Sequence, residues 1–243
     1  MRRDVIDLRA FYAAPLGAAV RDLVSRKIGE AWDDARGLDV LGLGYATPYL
    51  PLFERRARRA VAAMPGAQGV EPWPAGAPNR VCLGTETTLP FPNALFDRVL
   101  VIHGLEESDD PAAYMAEVRR VMSPAGRVIV AVASRRGLWA GSEATPFGYG
   151  RPFTRAQLEE VVVAAGLEPA AWSRALYVPP LPILAPHAEA FEQVGSRLFP
   201  PISGLILLEA VKQTFAVKPK GARSPAFAPG RLQPQPLGVA LRP

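Results

Sequence analysis

The apolar and polar positions of this 243-residue chain fall into two kinds of segment. Short apolar runs bounded by Gly, Pro or Asp have the character of buried strands. Longer segments repeat apolar residues every three or four positions, the spacing of one helix face. The pattern predicts strands at 38–43, 60–64, 80–83, 98–103, 127–133, within 167–177 and at 204–217, the last of which can also be read as a helix.

Helices are predicted between these strands. An N-terminal helical segment over 4–32 is expected to divide at Pro15, and its apolar stripe marks core packing or a lid, with membrane-surface binding as the alternative. Thr47 is predicted to cap a helix that Pro48 opens and that continues to about residue 58. Further helices are predicted at 111–122, 154–165 and 187–199, and a loop at 179–186.

This alternation predicts an α/β fold, a doubly wound, Rossmann-like and mostly parallel seven-stranded sheet with an antiparallel edge strand. We expect N-terminal helices at 1–35 to pack on the core as a lid, and the main domain to span 36–217. Residues 218–243 are rich in Pro and basic side chains without apolar periodicity, so we expect a disordered tail.

The stretch from Asp39 to Leu50 contains a strand, a glycine turn around Gly44 and a predicted helix start. Backbone N–H groups at such a helix start attract anionic or electron-rich ligand groups. In doubly wound sheets, ligands bind beyond the carboxyl ends of the strands. The loops after the first four strands are therefore the place to look for a site.

Composition narrows the class of protein. Apolar residues make up 49% of the chain and charged residues 21%, as in ordinary globular proteins. The single cysteine, Cys82, excludes an internal disulfide and is expected to be a buried small hydrophobe. No secretory leader and no membrane-spanning run is recognised, so we expect a cytoplasmic protein.

The net charge of +5 and the pI near 9.6 arise largely from the tail and from the basic run at 54–59. The run is expected to be a solvated helix face, with contact to an acidic partner or RNA as the alternative. No nucleic-acid motif supports RNA binding, whereas a protein partner stays open.

Several side chains have two interpretations. His103, at a strand end, either lines a pocket as a general base or is structural. The acidic residues at 106–110 are expected to cap a helix rather than hold a metal, and His187 is too remote for a shared metal site. Trp139, Phe147, Tyr149 and Phe153 either shape an acceptor pocket or simply pack a long loop.

A family resemblance emerges between residues 85 and 130. The chain reads LPFP at 89–92, FDRVL at 96–100, HGLE at 103–106 and EVRRVMSPAGRVIV at 117–130. This order and spacing resembles class I S-adenosylmethionine-dependent methyltransferases, particularly those of ubiquinone and menaquinone biosynthesis, with "LPFPDNSFDVV", "HVLEH" and "E..RVLKPGGRL". With the glycine turn, the resemblance extends over about 38–217.

The resemblance implies S-adenosylmethionine as cofactor and a set of positions around it. Those positions are Gly42, Leu43, Gly44, Tyr45 and Ala46 in the loop around the methionine part, Glu86 and Thr87 beside the adenine, and His103 and Gly104 at the end of strand four. The chain departs from the family where Gly42 replaces an acidic residue and where Ala46 and Pro48 replace glycines. The ribose-binding acid falls near Met64, with Glu71 the nearest carboxylate.

The resemblance therefore leads to two hypotheses. In the first, the chain is a methyltransferase that acts on a small or lipid-like acceptor, admitted under the N-terminal helices and the 139–153 loop, by in-line methyl transfer. No catalytic residue is assigned, since such a displacement depends on alignment. In the second, the chain is a catalytically degenerate relative that serves as a binding or regulatory partner, because each missing charge-assisted hydrogen bond weakens cofactor binding.

Overall fold

The sheet contains seven strands in a computed structural model that describes residues 3–213; the predicted tail at 218–243 lies outside the described residues. The strands, each close to a predicted apolar run, are β1 Asp39–Gly44, β2 Arg59–Pro65, β3 Val81–Gly84, β4 Phe96–Ile102, β5 Met122–Ala133, β6 Glu168–Ala175 and β7 Leu205–Val211. The ambiguous segment near the C-terminus is thus a strand.

The strand order is β3-β2-β1-β4-β5-β7-β6. The first five strands pair in parallel, and β7 runs antiparallel to both of its neighbours, β5 and β6. The predicted α/β class and mostly parallel sheet are confirmed. The antiparallel strand lies one position in from the edge, and β6 forms the edge itself.

Six α-helices accompany these strands among residues 3–213: α1 Val5–Ala13, α2 Pro15–Ala31, α3 Pro51–Glu54, α4 Pro111–Val121, α5 Arg155–Ala164 and α6 Ala188–Leu198. The predicted division at Pro15 is confirmed, since α2 begins there. Asp110 caps α4, and Thr154 forms a reciprocal capping box with Gln157 at the start of α5.

Both faces of the sheet carry an apolar core, because successive strand residues point to opposite sides. On one side, Val40 and Leu100 belong to a cluster with apolar residues of α1 and α2. On the other side, Leu41 and Val99 belong to a cluster with α4 and α5. The N-terminal helices are therefore integral to one of the two cores.

The helix predicted from Thr47 to about residue 58 is wrong in extent. It is a single turn, α3, whose N-cap is Leu50 rather than Thr47. Pro51 has no N–H to bond the carbonyl four residues earlier, so a helix cannot continue through it from Thr47. The basic run at 54–59 is accordingly not a helix face: Arg58 forms a two-armed ion pair with buried Asp39, at 2.5 and 3.0 Å.

The predicted loop at 179–186 also needs correction, because residues Pro182–His187 form a short 3-10 helix. Cys82 is half-buried rather than buried, since β3 is an edge strand of the sheet.

Arg120 joins the LPFP segment to the EVRR segment. Its guanidinium donates to both carboxylate oxygens of Glu117 at 2.7 Å and to the carbonyl oxygens of Leu89 and Phe91 at 3.1 and 2.9 Å. Glu117 also accepts from the Leu89 N–H at 2.6 Å. The two segments are thus one hydrogen-bonded unit, which fixes the entry into β4.

Candidate functional site

The strand order reverses between β1 and β4, where a crevice is expected at the carboxyl ends of the strands. Gly44 closes β1 at φ +73°, and an added Cβ would lie 2.3 Å from the carbonyl oxygen of Ile102. The next N–H, of Tyr45, donates to that same oxygen at 2.8 Å. Only glycine permits this turn, so the two strand ends are held against each other.

Aromatic side chains fill the space above this turn. The Tyr12 hydroxyl, from α1, lies 2.8 Å from Nε2 of His103 and 2.9 Å from the hydroxyl of Tyr49. The Tyr12 ring also stacks on Tyr45, with centroids 5.7 Å apart. All four side chains are buried. Helix α1, the glycine loop and the end of β4 therefore meet in one hydrogen-bonded cluster.

His103 is a buried, neutral member of this cluster. Burial lowers its pKa to about 3, with a smaller contribution from the charge of Arg3. Its backbone is left-handed, at φ +52°, a conformation in which His is enriched. The Phe147 ring lies 4.6 Å from the imidazole, between centroids. Such a histidine holds Tyr12 in place and is a weak base near neutral pH.

Glu106, which the sequence analysis placed in an acidic helix-capping segment, is instead a buried carboxyl beside the aromatic cluster. Its Oε1 accepts the Ala133 N–H at 3.0 Å, while Oε2 has no hydrogen-bond partner among the described residues. Burial raises its pKa to about 7, against the opposing effect of nearby backbone N–H groups. The predicted helix cap is Asp110 instead, which leaves Glu106 free for another role. The position of Glu106 just beyond an apolar strand was the only sequence feature that could have indicated its burial.

A small cavity opens at the ends of β1, β2 and β3, with a volume of about 10 Å³. Leu43, Gly44, Met64 and Glu86 are among its lining residues. A space of this size holds about one water molecule, whereas ligand pockets span roughly 300–1,000 Å³. The cavity has the position expected for an adenosine group, but it needs to widen before one can enter.

The carboxylates that the family places near the cofactor are absent from the corresponding strand positions. A Cβ on Gly42 would lie 2.9 Å from that of Ala46, so no longer side chain fits there. Buried Met64 and Pro65 end β2. Glu71, in the following loop, accepts from the Tyr45 hydroxyl at 2.7 Å. The side chains at the small cavity are of the types that could hold the adenosine end of S-adenosylmethionine. In this conformation the residues around the glycine turn do not fit its amino-acid end.

The other predicted cofactor positions are dispersed. Thr87 is exposed, while Glu86 is half-buried at the cavity. Gly104 packs under Tyr114, whose hydroxyl would lie 2.7 Å from an added Cβ. The structure thus brings Leu43, Gly44 and Glu86 to the small cavity and leaves Thr87 at the surface.

A larger groove of about 740 Å³ lies between the N-terminal helices and the loops after β1 and β2. Tyr45 and Trp73 give it aromatic surface, and Arg9 and Glu71 give it opposite charges 3.9 Å apart. Its volume lies within the range of small-molecule sites. No sequence pattern indicates this groove, because its walls come from four separate segments of the chain.

The aromatic loop at 139–153 packs against the cluster from the opposite side. Trp139 is fully buried and donates to the carbonyl oxygen of Val178 at 2.7 Å, and its ring meets Phe147 edge-on. Tyr149 lies under the guanidinium of Arg3. These contacts are those of a packed wall, which excludes water from the His103 side of the cluster.

Within residues 3–213, no group of three or more His, Cys, Asp or Glu side chains is placed to hold a metal ion. Over the same residues, no helix is both long and apolar enough to cross a membrane.

The strand order, with β7 antiparallel to its neighbours, matches the Rossmann-like fold of methyltransferases of known structure. A model of the family described as "Methyltransferase domain" matches residues 34–130. The chain is 43% identical over 56 residues to the ubiquinone/menaquinone biosynthesis C-methyltransferase UbiE of Ralstonia nicotianae, over 23% of each chain. It is 30% identical over 96 residues to the demethylmenaquinone methyltransferase of Thermus thermophilus, over 40% of this chain and 37% of that one.

Among solved structures, an S-adenosylmethionine-dependent methyltransferase of Thermotoga maritima aligns with a TM-score of 0.52 at 18% identity, covering 80% of this chain and 92% of that one. These findings confirm the resemblance to class I S-adenosylmethionine-dependent methyltransferases, which the family model carries over residues 34–130. The sequence match spans only 23% to 37% of the curated relatives' lengths.

Proposed function

We propose that this protein binds S-adenosylmethionine at the carboxyl ends of β1 to β4 and transfers its methyl group to a small or lipid-like acceptor. The observation that carries the proposal is the small cavity at the carboxyl ends of β1, β2 and β3, with Gly44 and Glu86 in its lining. The match to the methyltransferase-domain model over residues 34–130 supports it, because that range includes the glycine turn and β4.

The chain's own residues would act mainly by positioning and by exclusion of water. Glu86 and the backbone around Gly44 would hold the adenosine end, and the bound cofactor would supply an electrophilic methyl group. Tyr12 would have to leave the space between His103 and Tyr45 before the amino-acid end could bind. In-line displacement depends more on the alignment of the donor and the acceptor than on a large set of catalytic residues.

The acceptor has a natural place in the 740 Å³ groove beside Tyr45. Its aromatic walls suit a ring-bearing or apolar molecule, and the Arg9–Glu71 pair at its rim offers both a donor and an acceptor of hydrogen bonds. The N-terminal helices form one wall, as the lid hypothesis requires.

Calorimetric titration of the full chain with S-adenosylmethionine and with S-adenosylhomocysteine tests this proposal. We expect binding tighter than millimolar, and weaker binding for Glu86→Gln. Tyr12→Ala should bind the cofactor more tightly than the wild type, because it removes the group that must move and so raises the fraction of binding-competent protein. Binding absent in both the wild type and Tyr12→Ala would overturn the proposal.

A second candidate function is a binding or regulatory protein that retains the fold without the transfer. The burial of Tyr12, Tyr49 and His103 where the amino-acid end would lie favours it. The fold alone does not decide between the two, since function resides in the site. This candidate predicts that Tyr12→Ala does not bind the cofactor although the variant is folded and unfolds cooperatively.

A further inference from the structure

The segment between β6 and β7, residues 176–204, exposes an unusual amount of apolar surface. Of the 13 large apolar side chains exposed among residues 3–213, seven lie in this one segment. They are Leu181, Ile183, Phe191, Val194, Leu198, Phe199 and Ile202, and Ile183 is 82% exposed. Clustered exposed apolar residues mark interaction surfaces, whereas isolated ones need no explanation.

Helix α6 carries the regular part of this surface. Phe191, Val194 and Leu198 are spaced three and four residues apart, which places them in one stripe along the helix. The adjoining face is fixed to the protein: Glu192 accepts the Tyr177 N–H at 3.1 Å, and a Cβ on Gly195 would lie 2.4 Å from that of Tyr177. The helix therefore cannot turn its apolar stripe inward without breaking these contacts.

The charges around the stripe are unbalanced. Residues 176–204 contain two carboxylates, Glu189 and Glu192. Glu189 is held by both arms of Arg26 at 2.5 and 2.6 Å, and Glu192 is buried. Arg197, in the last turn of α6, is exposed. The rim of this surface therefore presents positive charge and no unpaired exposed carboxylate of its own segment.

A second basic group joins the rim from the loop after β5. Gly137 packs so closely that an added Cβ would lie 2.3 Å from the carbonyl oxygen of Ser203. This contact brings its neighbours, exposed Arg136 and the 57% exposed Leu138, alongside the end of the segment. The same combination of cationic and apolar side chains thus continues beyond α6.

The geometry points to an anionic lipid surface as the occupant of this face, and we propose that α6 and the flanking residues of 181–202 dock there. Apolar stripes flanked by arginine bind the boundary between head groups and acyl chains. A second copy of this chain fits less well, because it would bring the same cationic rim against itself without a complementary charge.

Docking on this face would turn the site toward the lipid. Ala175 and Leu205, which flank the segment, pair with each other, and Leu205 also pairs with Ala133 at the end of β5. The segment thus leaves from the same edge of the sheet as Gly44 and His103. Lipid binding is inferred from the exposed apolar and basic residues alone. That the acceptor would then come from the lipid rests on the proposed function.

Vesicle flotation of the full chain provides the test. We expect binding to vesicles of phosphatidylcholine mixed with phosphatidylglycerol, and less binding to phosphatidylcholine alone. The double variant Phe191→Gln/Leu198→Gln should lower the partition coefficient at least about tenfold, since two exposed apolar groups lose their burial. Arg136→Gln and Arg197→Gln should each lower it about fivefold on the anionic vesicles only.

The matched control is Val70→Gln/Val163→Gln, which changes two exposed apolar residues outside the segment and should leave flotation unchanged. Sedimentation velocity is run on the same proteins. No binding by the wild type, or binding that the α6 variant leaves intact, overturns the inference. If the wild type sediments as a dimer, if only the α6 variant dissociates it, and if the wild type does not float with vesicles, the surface binds a second copy of this chain instead.

Discussion

Tyr12 and His103 are joined by a 2.8 Å hydrogen bond although 91 residues separate them in the chain. The bond fastens α1 to the end of β4, directly over the glycine turn. Because Tyr49 shares the same hydroxyl, loss of that single oxygen changes the surroundings of two other buried polar groups.

Tyr12→Phe should therefore lower the free energy of unfolding by about 1–3 kcal/mol, because it leaves buried hydrogen-bonding groups on His103 and Tyr49 without this partner. Urea unfolding measures the change. Tyr149→Phe is the control: its ring stays available to Arg3, so its effect should be well below 1 kcal/mol. Equal losses in the two variants would contradict the role given to the Tyr12 hydroxyl.

His103→Asn should alter the acid side of the stability profile. Burial lowers the pKa of His103 from 6.5 to about 3, so the unfolded chain binds a proton that the folded protein does not. The contribution of neutral His103 is complete above pH 6.5 and is lost as the pH falls toward 3, at up to about 1.4 kcal/mol per pH unit. Asn also adopts the left-handed backbone readily.

The measurement is urea unfolding at a series of pH values from 3 to 8. We expect the wild type to keep a level stability between pH 4.5 and 6.5, where His103→Asn gains stability as the pH falls, and to lose stability more steeply than His103→Asn below pH 4.5. The exposed His187, changed to Asn, should leave the profile as it is. If both histidine variants gave the wild-type slope, His103 would not be the buried neutral group described here.

Glu106→Gln should change the same profile in the opposite direction. Burial raises the pKa of Glu106 from 4.5 to about 7, so the folded protein holds a proton that the unfolded chain releases. Its contribution is complete below pH 4.5 and is lost as the pH rises through 7. Gln keeps an oxygen for the Ala133 N–H without the charge, so the variant should be more stable than the wild type at pH 8.

Between pH 4.5 and 6.5 the effects of Glu106 and His103 oppose each other. The wild-type profile should be flat in this window, and Glu106→Gln should make stability rise with pH there. Glu160→Gln, at an exposed position of α5, serves as the control and should keep the flat window. A Glu106→Gln profile that stayed flat would argue against protonation of this carboxyl.

Gly44→Ala should destabilise the protein by more than the cost of placing alanine in a left-handed backbone conformation. Gly44 and Gly76 share φ +73°, but a Cβ at Gly76 meets nothing within 4 Å, whereas one at Gly44 lies 2.3 Å from Ile102 O. The left-handed backbone costs about 1–2 kcal/mol in each variant. Only Gly44→Ala adds the clash, so urea unfolding should separate the two by more than about 1 kcal/mol, and similar losses would show that the turn can relax.

Arg120→Lys should cost about 2 kcal/mol although the charge is kept. A lysine ammonium cannot reproduce the planar fork that holds Glu117 and the Leu89 and Phe91 carbonyl oxygens together. Thermal unfolding of Arg120→Lys is compared with that of Arg56→Lys, at an exposed position. A shared, small effect would mean that charge rather than geometry secures this segment.

Much of the fold follows from local pattern. Parallel strands buried on both faces must be apolar throughout, which is why the runs around Val40, Leu100 and Val130 identify themselves. Caps are equally local: Asp110 and Thr154 bond N–H groups within their own first turn. The LPFP and EVRR segments helped to indicate the family resemblance, and Arg120 joins them in the fold.

The contents of the site were decided by tertiary structure. Whether the loop after β1 surrounds a ligand or a tyrosine depends on where α1 packs, and no spacing in the sequence records a contact between Tyr12 and His103. The burial of Glu106 likewise depends on the loop that carries Arg151, whose N–H meets the Glu106 carbonyl oxygen at 2.7 Å. The strands could be predicted because each is set by the composition of one segment. The site could not be predicted, because its desolvation and hydrogen bonding arise between segments that only the folded chain brings together.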